Sequence, residues 1–221
     1  MPGTLAILPI KSFADAKQRL SPALDNVTRS VLVEAMFTDV LRALSRCETL
    51  DAIIVVTGDN VAHRIAEGYG AQVVVDDQRG HNHAVTLGVR QALELDAERV
   101  LLVPGDCPLL DPTEVDELVS ASMQTGSVVI VPDRHGTGTN ALLITPPDAF
   151  HPAFGHGSRE RHEERAAAAG LSTSTVTVFT LALDVDTPED LEAMQAALTA
   201  RRGGAAHTRG MLAQMARTAG Q

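Results

Sequence analysis

The sequence predicts an α/β domain with a mostly parallel, mixed sheet flanked by helices on both faces. Short apolar runs alternate along the chain with segments that carry apolar residues at helical spacing, as in βαβ units. Hydrophobic residues make up 44% of the 221 residues and aromatic residues only 3%, so the core must consist of Val, Leu, Ile and Ala. Such a core favours parallel strands that are buried on both faces.

The first two thirds of the chain contain five predicted strands and four predicted helices. The strands are residues 5–9, 52–57, 72–75, 100–103 and 128–131. The first helix is residues 28–44, with Thr28 as its expected cap, and the second follows Asp59, which is its expected cap. The other two helices are residues 82–95 and 112–123.

The order becomes less regular after residue 132. Residues 141–144 and 176–183 are predicted as strands, with an antiparallel member among them, and residues 159–169 and 188–199 as helices. The pattern breaks at Arg201 and Arg202. We therefore assign residues 1–200 to one domain and expect residues 201–221 to form a flexible C-terminal tail, with a short partner-binding helix as the alternative.

Charge and cysteine content exclude several classes of function. A net charge of −10 and a pI near 5.2 argue against a general nucleic-acid binder. No signal peptide or transmembrane span is visible in the sequence, so we expect no membrane association. Two cysteines do not make a disulfide framework, and a reduced, cytoplasmic setting fits them.

Three aspartates are candidates for a metal site. Asp106 follows the fourth predicted strand, in the segment Pro-Gly-Asp-Cys-Pro, and ligands of open α/β sheets bind at that edge. Asp184 and Asp186 are two residues apart, so in an extended segment they face the same side. Three carboxylates at one edge suit Mg²⁺. The alternative is structural: Asp106 caps a loop, and Asp186 caps the helix that begins near Pro188.

A cluster of cations follows the first predicted strand. Lys11, Lys17 and Arg19 occur within nine residues, and a nucleoside triphosphate at this place would need such neutralisation of charge. The segment lacks the glycines and the Gly-Lys-Ser/Thr ending of a Walker loop. A solvated basic loop is the competing interpretation.

Three further polar segments are candidate ligand loops. In residues 79–84, Gly80 permits close approach of a ligand, and the Asn82 amide can contact a base edge or a ribose. Residues 132–140 are rich in glycine and hydroxyl groups, and residues 154–162 open a helix at Ser158. Together the last two segments predict a pocket for a small anionic acceptor. Ordinary turns and a Ser158 helix cap are the competing interpretations.

In this order the motifs resemble the CofC/FbiD family of guanylyltransferases of coenzyme F420 biosynthesis. The resemblance runs from about residue 5 to residue 198 and depends on residues 9–21, 104–108, 133–140, 154–162 and 183–188. One departure is His81, because relatives usually have an apolar residue there.

The resemblance implies a nucleotidyltransferase fold of the GT-A-like kind and a set of site residues. Mg²⁺ would be held by Asp106, Asp184 and Asp186, and the acceptor would bind near Thr139, Gly155 and Ser158. The nucleotide would contact Lys11, Lys17, Arg19, Gly80 and Asn82, and the catalytic residues would be Lys17, Arg19 and Asp106.

The resemblance also implies the partners. These are GTP and a three-carbon phosphoacid, either phosphoenolpyruvate or 2-phospho-L-lactate, and the Ala- and Arg-rich composition tilts the choice towards phosphoenolpyruvate. A homodimer and a hand-off to the next enzyme of the pathway are further expectations. The alternatives are a cytidylyl- or molybdopterin-type nucleotidyltransferase and a nucleotide-binding module without turnover.

Overall fold

A seven-stranded mixed sheet lies between two layers of helices, in a computed structural model that describes residues 3–77, 79–122 and 124–219. The strand order is β3-β2-β1-β4-β6-β5-β7. The strands are β1 (Thr4–Ile10), β2 (Ala52–Thr57), β3 (Gln72–Val75), β4 (Arg99–Leu102), β5 (Ser127–Pro132), β6 (Thr139–Thr145) and β7 (Ser172–Thr175).

The helices cover both faces of this sheet. They are α1 (Asn26–Leu44), α2 (Asn60–Gly68), α3 (His81–Glu94), α4 (Pro112–Ser120), α5 (Ser158–Ala168), α6 (Phe179–Ala182), α7 (Pro188–Ala200) and α8 (Ala206–Ala219). A short 3₁₀ turn, Gln18–Leu20, precedes α1. Alternate residues of β1 enter different cores: Ala6 and Leu8 pack with α1, α2, α4 and α7, whereas Leu5 and Ile7 pack with α3 and α5.

The structure confirms the predicted mixed sheet. Strands β1, β2, β3 and β4 pair in parallel, and β6 is antiparallel to both β4 and β5. The chain leaves β1 towards β2 and later returns to β4 on the other side of β1. The carboxyl ends of β1 and β4 therefore form the point where strand order reverses, which is the usual ligand crevice of an open sheet. Because β6 runs the opposite way, its first residues reach the same edge.

The prediction of a strand over residues 176–183 is wrong. The strand in this part of the chain is β7, an exposed polar edge strand paired in parallel with β5. Residues 176–183 instead contain the single turn α6, and the side chains of Val178, Leu181 and Leu183 are buried there. Their apolar character reflects packing against the core under β5 and β6 rather than strand pairing.

Helix boundaries follow the caps. Asp25, not Thr28, caps α1, because its carboxylate accepts the Val27 and Thr28 N–H groups at 2.9 and 3.0 Å. Asp59 caps α2, as expected. Helix α4 ends at Ser120, earlier than the predicted end, and residue 123 itself lies outside the described residues.

The expectation of a flexible tail after residue 200 is also corrected. Helix α8 packs against α1, and the side chains of Met211, Leu212 and Met215 lie against the core. The Asp39 carboxylate of α1 accepts the backbone N–H groups of His207 and Thr208 at 3.1 and 2.7 Å. Three apolar side chains are too few to predict a packed helix from the sequence, and the surface on α1 against which they pack is distant in the chain.

Within the part of the chain that the structure describes, no helix combines the length and the apolar character needed to cross a membrane.

Candidate functional site

A cavity of about 570 Å³ opens at the carboxyl ends of β1 and β4. Its lining includes nine of the predicted site residues: Lys11, Lys17, Arg19, Asp106, Thr139, Gly155, Ser158, Asp184 and Asp186. Segments that are distant in sequence reach it because their strands end at one sheet edge. The predicted donor and acceptor residues therefore share one crevice.

The three aspartates meet at the floor of this cavity. One carboxylate oxygen from each of Asp106, Asp184 and Asp186 lies within 4.8 Å of the others. The backbone N–H of Val185 donates to the Asp106 carbonyl at 3.2 Å, and the Val185 side chain is buried, so its two neighbours both face the cavity. The structural alternative for Asp186 does not apply, because Thr187 caps α7 in a capping box with Asp190.

The ammonium group of Lys17 lies among these carboxylates. It is bonded to Asp106, and its distance to an Asp186 oxygen is 2.5 Å. Burial by itself would lower the pKa of Lys17, but the two carboxylates hold that pKa above its usual value. Lys17 adopts a left-handed backbone conformation (φ 55°), which directs the chain into the 3₁₀ turn.

The carboxyl group of Asp184 is partly buried at this floor. Burial, together with the nearby Asp106 charge, raises the pKa of Asp184 to about 6, although the Asn140 amide donates to it at 3.1 Å. An uncompensated negative charge therefore collects at this floor, and a cation that binds there would relieve it.

Two side chains fix the loop that follows β1. The buried Arg29 of α1 donates to the carbonyls of Ala16 and Ala14, at 3.0 and 3.4 Å. The Asp59 carboxylate accepts the Phe13 N–H at 3.1 Å. These contacts hold the backbone, and they leave the cationic side chains of the loop facing the cavity.

The opposite wall consists of Thr139 at the start of β6 and the loop before α5. Gly155 and Gly157 have φ angles of 124° and 67°, a region that residues with a β-carbon rarely adopt. Gly157, not Ser158, is the N-cap residue of α5, so Ser158 is the first residue of the helix. The N–H groups of Ser158 and Arg159 donate to the carbonyls of Gly155 and Thr137, so at this helix N-terminus the Ser158 hydroxyl and the positive end of the helix dipole can bind an anion.

Gly80 and Asn82 are not among the described residues that line the cavity. The Asn82 amide instead binds the backbone of Phe154, accepting its N–H at 2.8 Å and donating to its carbonyl at 3.2 Å. Its neighbour His81 lines the cavity, with its ring edge-to-face against the Phe154 ring at 5.1 Å. The structure therefore joins the start of α3 to the acceptor loop, with Asn82 as the link.

The sequence interpretation missed His162 and Arg161, which bind the same loop. His162 contacts both the Thr139 hydroxyl and the Ala153 N–H, each at 2.9 Å. The Arg161 guanidinium donates to the carbonyls of His156 and Ala153, at 2.6 and 3.3 Å. Both residues were visible as part of the family motif, but their partners lie in other segments, and spacing alone does not reveal them.

Comparison with known proteins places this geometry in a family. A family model described as "Guanylyl transferase CofC like" matches residues 4–212. The chain is 50% identical to the phosphoenolpyruvate guanylyltransferase of Conexibacter woesei over 97% of both chains. It is 36% identical to the 2-phospho-L-lactate guanylyltransferase of Methanothermobacter thermautotrophicus, over 85% of this chain and 82% of the relative.

Solved structures support the fold. A putative nucleotide-diphospho-sugar transferase from Desulfovibrio desulfuricans superposes with a TM-score of 0.76, at 16% identity, over 97% of this chain and 95% of that one. At this identity the likeness concerns the fold alone, and it confirms the predicted nucleotidyltransferase architecture. The family match covers nearly the whole chain and includes the residues that line the cavity; this protein belongs to the CofC family of guanylyltransferases.

Proposed function

We propose that this protein transfers GMP from GTP to the phosphate of phosphoenolpyruvate and releases pyrophosphate, as a step of coenzyme F420 biosynthesis. The observation that carries the proposal is the shared cavity. A cationic loop, a carboxylate cluster and a polar acceptor wall line the same crevice. Both polar walls are suited to anions, as a reaction between two phosphorylated substrates requires. The 50% identity to a phosphoenolpyruvate guanylyltransferase supports this acceptor.

The loop after β1 is the proposed donor wall. Lys11 and Arg19 both line the cavity there. An arginine can hold two phosphate oxygens with its planar fork, and a lysine supplies a compact positive charge. We assign Arg19 to the departing pyrophosphate and Lys11 to the triphosphate.

The residues present fit a hard divalent cation. Oδ1 of Asp106 is buried and has no hydrogen-bonding partner among the described residues, so it is free to accept a ligand. With Asp184 and Asp186 it would supply the oxygen ligands that Mg²⁺ prefers. When bound, such an ion neutralises negative charge on reacting phosphates.

Lys17 and a metal ion would share the same carboxylates. The Lys17 ammonium contacts Asp106 and Asp186, two of the three proposed ligands. We propose that Lys17 balances the acidic cluster in the free protein. When those carboxylates engage a cation, the flexible lysine side chain would turn to the donor phosphates, where a positive charge is needed during transfer.

The wall opposite is the proposed acceptor subsite. The Thr139 hydroxyl, the backbone at Gly155 and the first turn of α5 at Ser158 all line the cavity. Amides at a helix N-terminus and a hydroxyl are suited to the carboxylate and phosphate of a small phosphoacid.

The reaction needs no general base. An anionic oxygen of the acceptor phosphate attacks the α-phosphorus of GTP, and a new phosphorus–oxygen bond forms. The bond between the α-phosphorus and the bridging oxygen breaks, and that oxygen leaves with pyrophosphate. The acceptor phosphate is already ionised, so the residues of the cavity contribute positioning and charge neutralisation.

Measurement of pyrophosphate release tests the proposal. The wild-type protein is supplied with each of the four nucleoside triphosphates and with phosphoenolpyruvate, 2-phospho-L-lactate or 3-phospho-D-glycerate, in the presence of Mg²⁺. We expect the highest turnover with GTP and phosphoenolpyruvate. Preference for CTP would favour a cytidylyltransferase, and absence of release with every pair would favour a non-catalytic nucleotide-binding module.

We also propose a reduced, cytoplasmic setting for the enzyme, because its two cysteines are free thiols. A homodimer and direct hand-off of the product stay predictions. Size-exclusion chromatography with light scattering, and co-purification with the next enzyme, are the corresponding measurements.

A further inference from the structure

His162 is a fully buried histidine directly behind the proposed acceptor subsite. It lies on α5, and the rings of Phe154 and Phe150 pack edge-on against its ring at 5.0 and 6.0 Å. Burial, together with the charges of Arg161 and Arg165, lowers the pKa of His162 to about 4, so the ring is neutral near pH 7.

The two partners of the ring define its tautomer. The Ala153 backbone N–H donates to Nε2 at 2.9 Å, so Nε2 carries no proton. In a neutral imidazole the proton must then be on Nδ1. Nδ1 lies 2.9 Å from the Thr139 hydroxyl oxygen, so the Nδ1–H donates and the Thr139 oxygen accepts.

This arrangement determines what the Thr139 hydroxyl can do. Its oxygen already accepts a hydrogen bond from the ring, so its own O–H is free to donate elsewhere. Thr139 lines the cavity, and the Ala153 amide held by the same ring immediately precedes the loop that carries Phe154 and Gly155. One neutral ring thus connects both halves of the acceptor wall.

We propose that His162 is a positioning residue of the acceptor subsite, which directs the Thr139 O–H into the cavity as a donor to an oxygen of the phosphoacid. The inference rests on the proposed function, because it takes Thr139 to be part of the acceptor subsite. His162 itself does not line the cavity in the described part of the chain, so it acts on the acceptor through Thr139.

Two substitutions separate its two hydrogen bonds. In His162→Asn the side-chain NH₂ takes the place of Nδ1 and still donates to Thr139. In His162→Gln the side-chain oxygen takes the place of Nε2, keeps the Ala153 contact and loses the donor to Thr139. Both variants lose ring packing against Phe150 and Phe154, so a merely structural role would affect them alike.

Steady-state kinetics with each substrate varied in turn gives the test. We expect His162→Gln to raise the KM for phosphoenolpyruvate about 5- to 10-fold, the size of one hydrogen bond, with the KM for GTP within about 2-fold of wild type. His162→Asn should keep the acceptor KM within about 2-fold of wild type. In a Thr139→Val background the effect of His162→Gln should vanish, because the two residues act as a pair.

A control variant accounts for lost stability. Val115→Ala removes buried apolar volume from α4, in the core on the other face of the sheet. Thermal melts of all variants allow comparison at equal loss of stability. Equal acceptor KM values for the Asn and Gln variants, an equal rise in the GTP KM, or a similar effect of Val115→Ala would overturn the proposal.

A spectroscopic readout does not depend on turnover. In ¹⁵N-histidine NMR spectra, the resonances absent from His162→Asn belong to His162. We expect them to show the Nδ1–H tautomer, and Thr139→Val and added phosphoenolpyruvate should shift the Nδ1 resonance. An Nε2–H tautomer, or an Nδ1 resonance unaffected by both, would overturn the proposal. If the wild type lacked turnover but the resonance moved, the proposed function would fail and the positioning role would stand.

Discussion

The two walls of the cavity are built in different ways. On the donor wall Lys11 and Arg19 are exposed to the cavity, whereas Lys17 lies among the carboxylates, which include a buried oxygen of Asp106 without a hydrogen-bonding partner in the described chain. On the acceptor wall, His162, Asn82 and Arg161 hold the backbone of residues 153–156. Protein contacts hold the backbone of both walls, but the donor wall presents charged side chains to a ligand, whereas the acceptor wall presents backbone and hydroxyl groups.

This difference predicts how substitutions will act. A change on the donor wall removes a charge that meets a ligand, so the loss should appear in turnover, in metal binding or in use of GTP. A change on the acceptor wall removes one of several bonds to a fixed backbone, so binding should weaken without being lost. Four measurements test this contrast, in decreasing order of expected effect.

The largest effect is expected at Asp106. Asp106→Asn keeps the shape of the side chain but removes a charge and a hard ligand, so turnover should fall on the order of 100-fold or more while the fold is retained. Pyrophosphate release and circular dichroism measure the two properties. The exposed Asp148, in the loop after β6, offers the matched control Asp148→Asn. Near-normal turnover of Asp106→Asn at limiting Mg²⁺ would contradict the proposed metal site.

Removal of α8 should have the next largest effect. A stop codon after Arg202 leaves the buried Asp39 carboxylate without its two amide partners and exposes the surface of α1. We expect the melting temperature to fall about 5–10 °C, as for a loss of about 3 kcal/mol in a chain of this size. A stop codon after Arg217 is the control, since it keeps Met211, Leu212 and Met215.

The truncation also sharpens the comparison of the two walls. Helix α1 carries Arg29, which supports the donor loop, and α8 packs on α1. If the truncation reduces activity, the KM for GTP should therefore rise more than the KM for the acceptor. If truncation after Arg202 left the melting temperature unchanged, residues 203–221 would be the flexible tail that the sequence suggested.

A smaller effect is expected from protonation of Asp184. Its pKa is raised to about 6, so below that pH it is neutral and metal affinity should fall, up to about 10-fold per pH unit. Calorimetric titration with Mn²⁺ between about pH 5 and pH 8 measures this, and Asp184→Asn should remove the slope near pH 6. A slope that persists in this variant would assign the titration to another group.

The raised pKa of Asp184 affects folding in the opposite direction from metal binding: protonation weakens metal binding but stabilises the fold. A carboxyl whose pKa is higher in the folded state stabilises the fold when protonated, and this contribution is lost as the pH rises through about 6. In the absence of metal, Asp184→Asn should therefore raise the melting temperature above pH 7, because it removes a buried negative charge beside Asp106. Equal melting temperatures of the wild type and of Asp184→Asn above pH 7 would contradict this account.

The smallest effects separate the two walls directly. Ser158→Ala should raise the acceptor KM by less than about 10-fold, because the hydroxyl supplies one hydrogen bond and the first turn of α5 is still present. Arg19→Ala should instead weaken use of GTP, because it removes a partner of the departing phosphates. Steady-state kinetics with each substrate varied in turn decides between them. The reverse pattern would show that the two subsites have been assigned the wrong way round.

Local patterns made much of the site predictable from sequence. Asp106 follows an apolar strand, and Asp184 and Asp186 have the spacing of side chains on one face of an extended segment. Because ligands bind at the carboxyl edge of the sheet, the three aspartates were expected to meet there. In the structure one carboxylate oxygen of each lies within 4.8 Å of the others. The resemblance to the CofC family supplied Thr139 and Gly155, which local pattern alone did not single out.

Other features depended on contacts between distant segments. Asn82 has the amide expected of a nucleotide ligand, yet that amide is bound to Phe154, 72 residues away. His162 meets Thr139 across 23 residues, in a bond that no spacing rule predicts. The apolar run at 176–183 resembled a strand, but its side chains pack under β5 and β6.

By itself the sequence determined the order of strands and helices as far as β6, the edge where ligands bind and the acidic cluster, because periodicity and strand ends are local properties. Only the tertiary structure decided that Lys17 lies among the aspartates, that α8 packs on α1 and that His162 orients Thr139. These features depend on which polar atoms find partners once the layers are packed. A buried group is satisfied by whichever segment reaches it, and that is set by the fold as a whole.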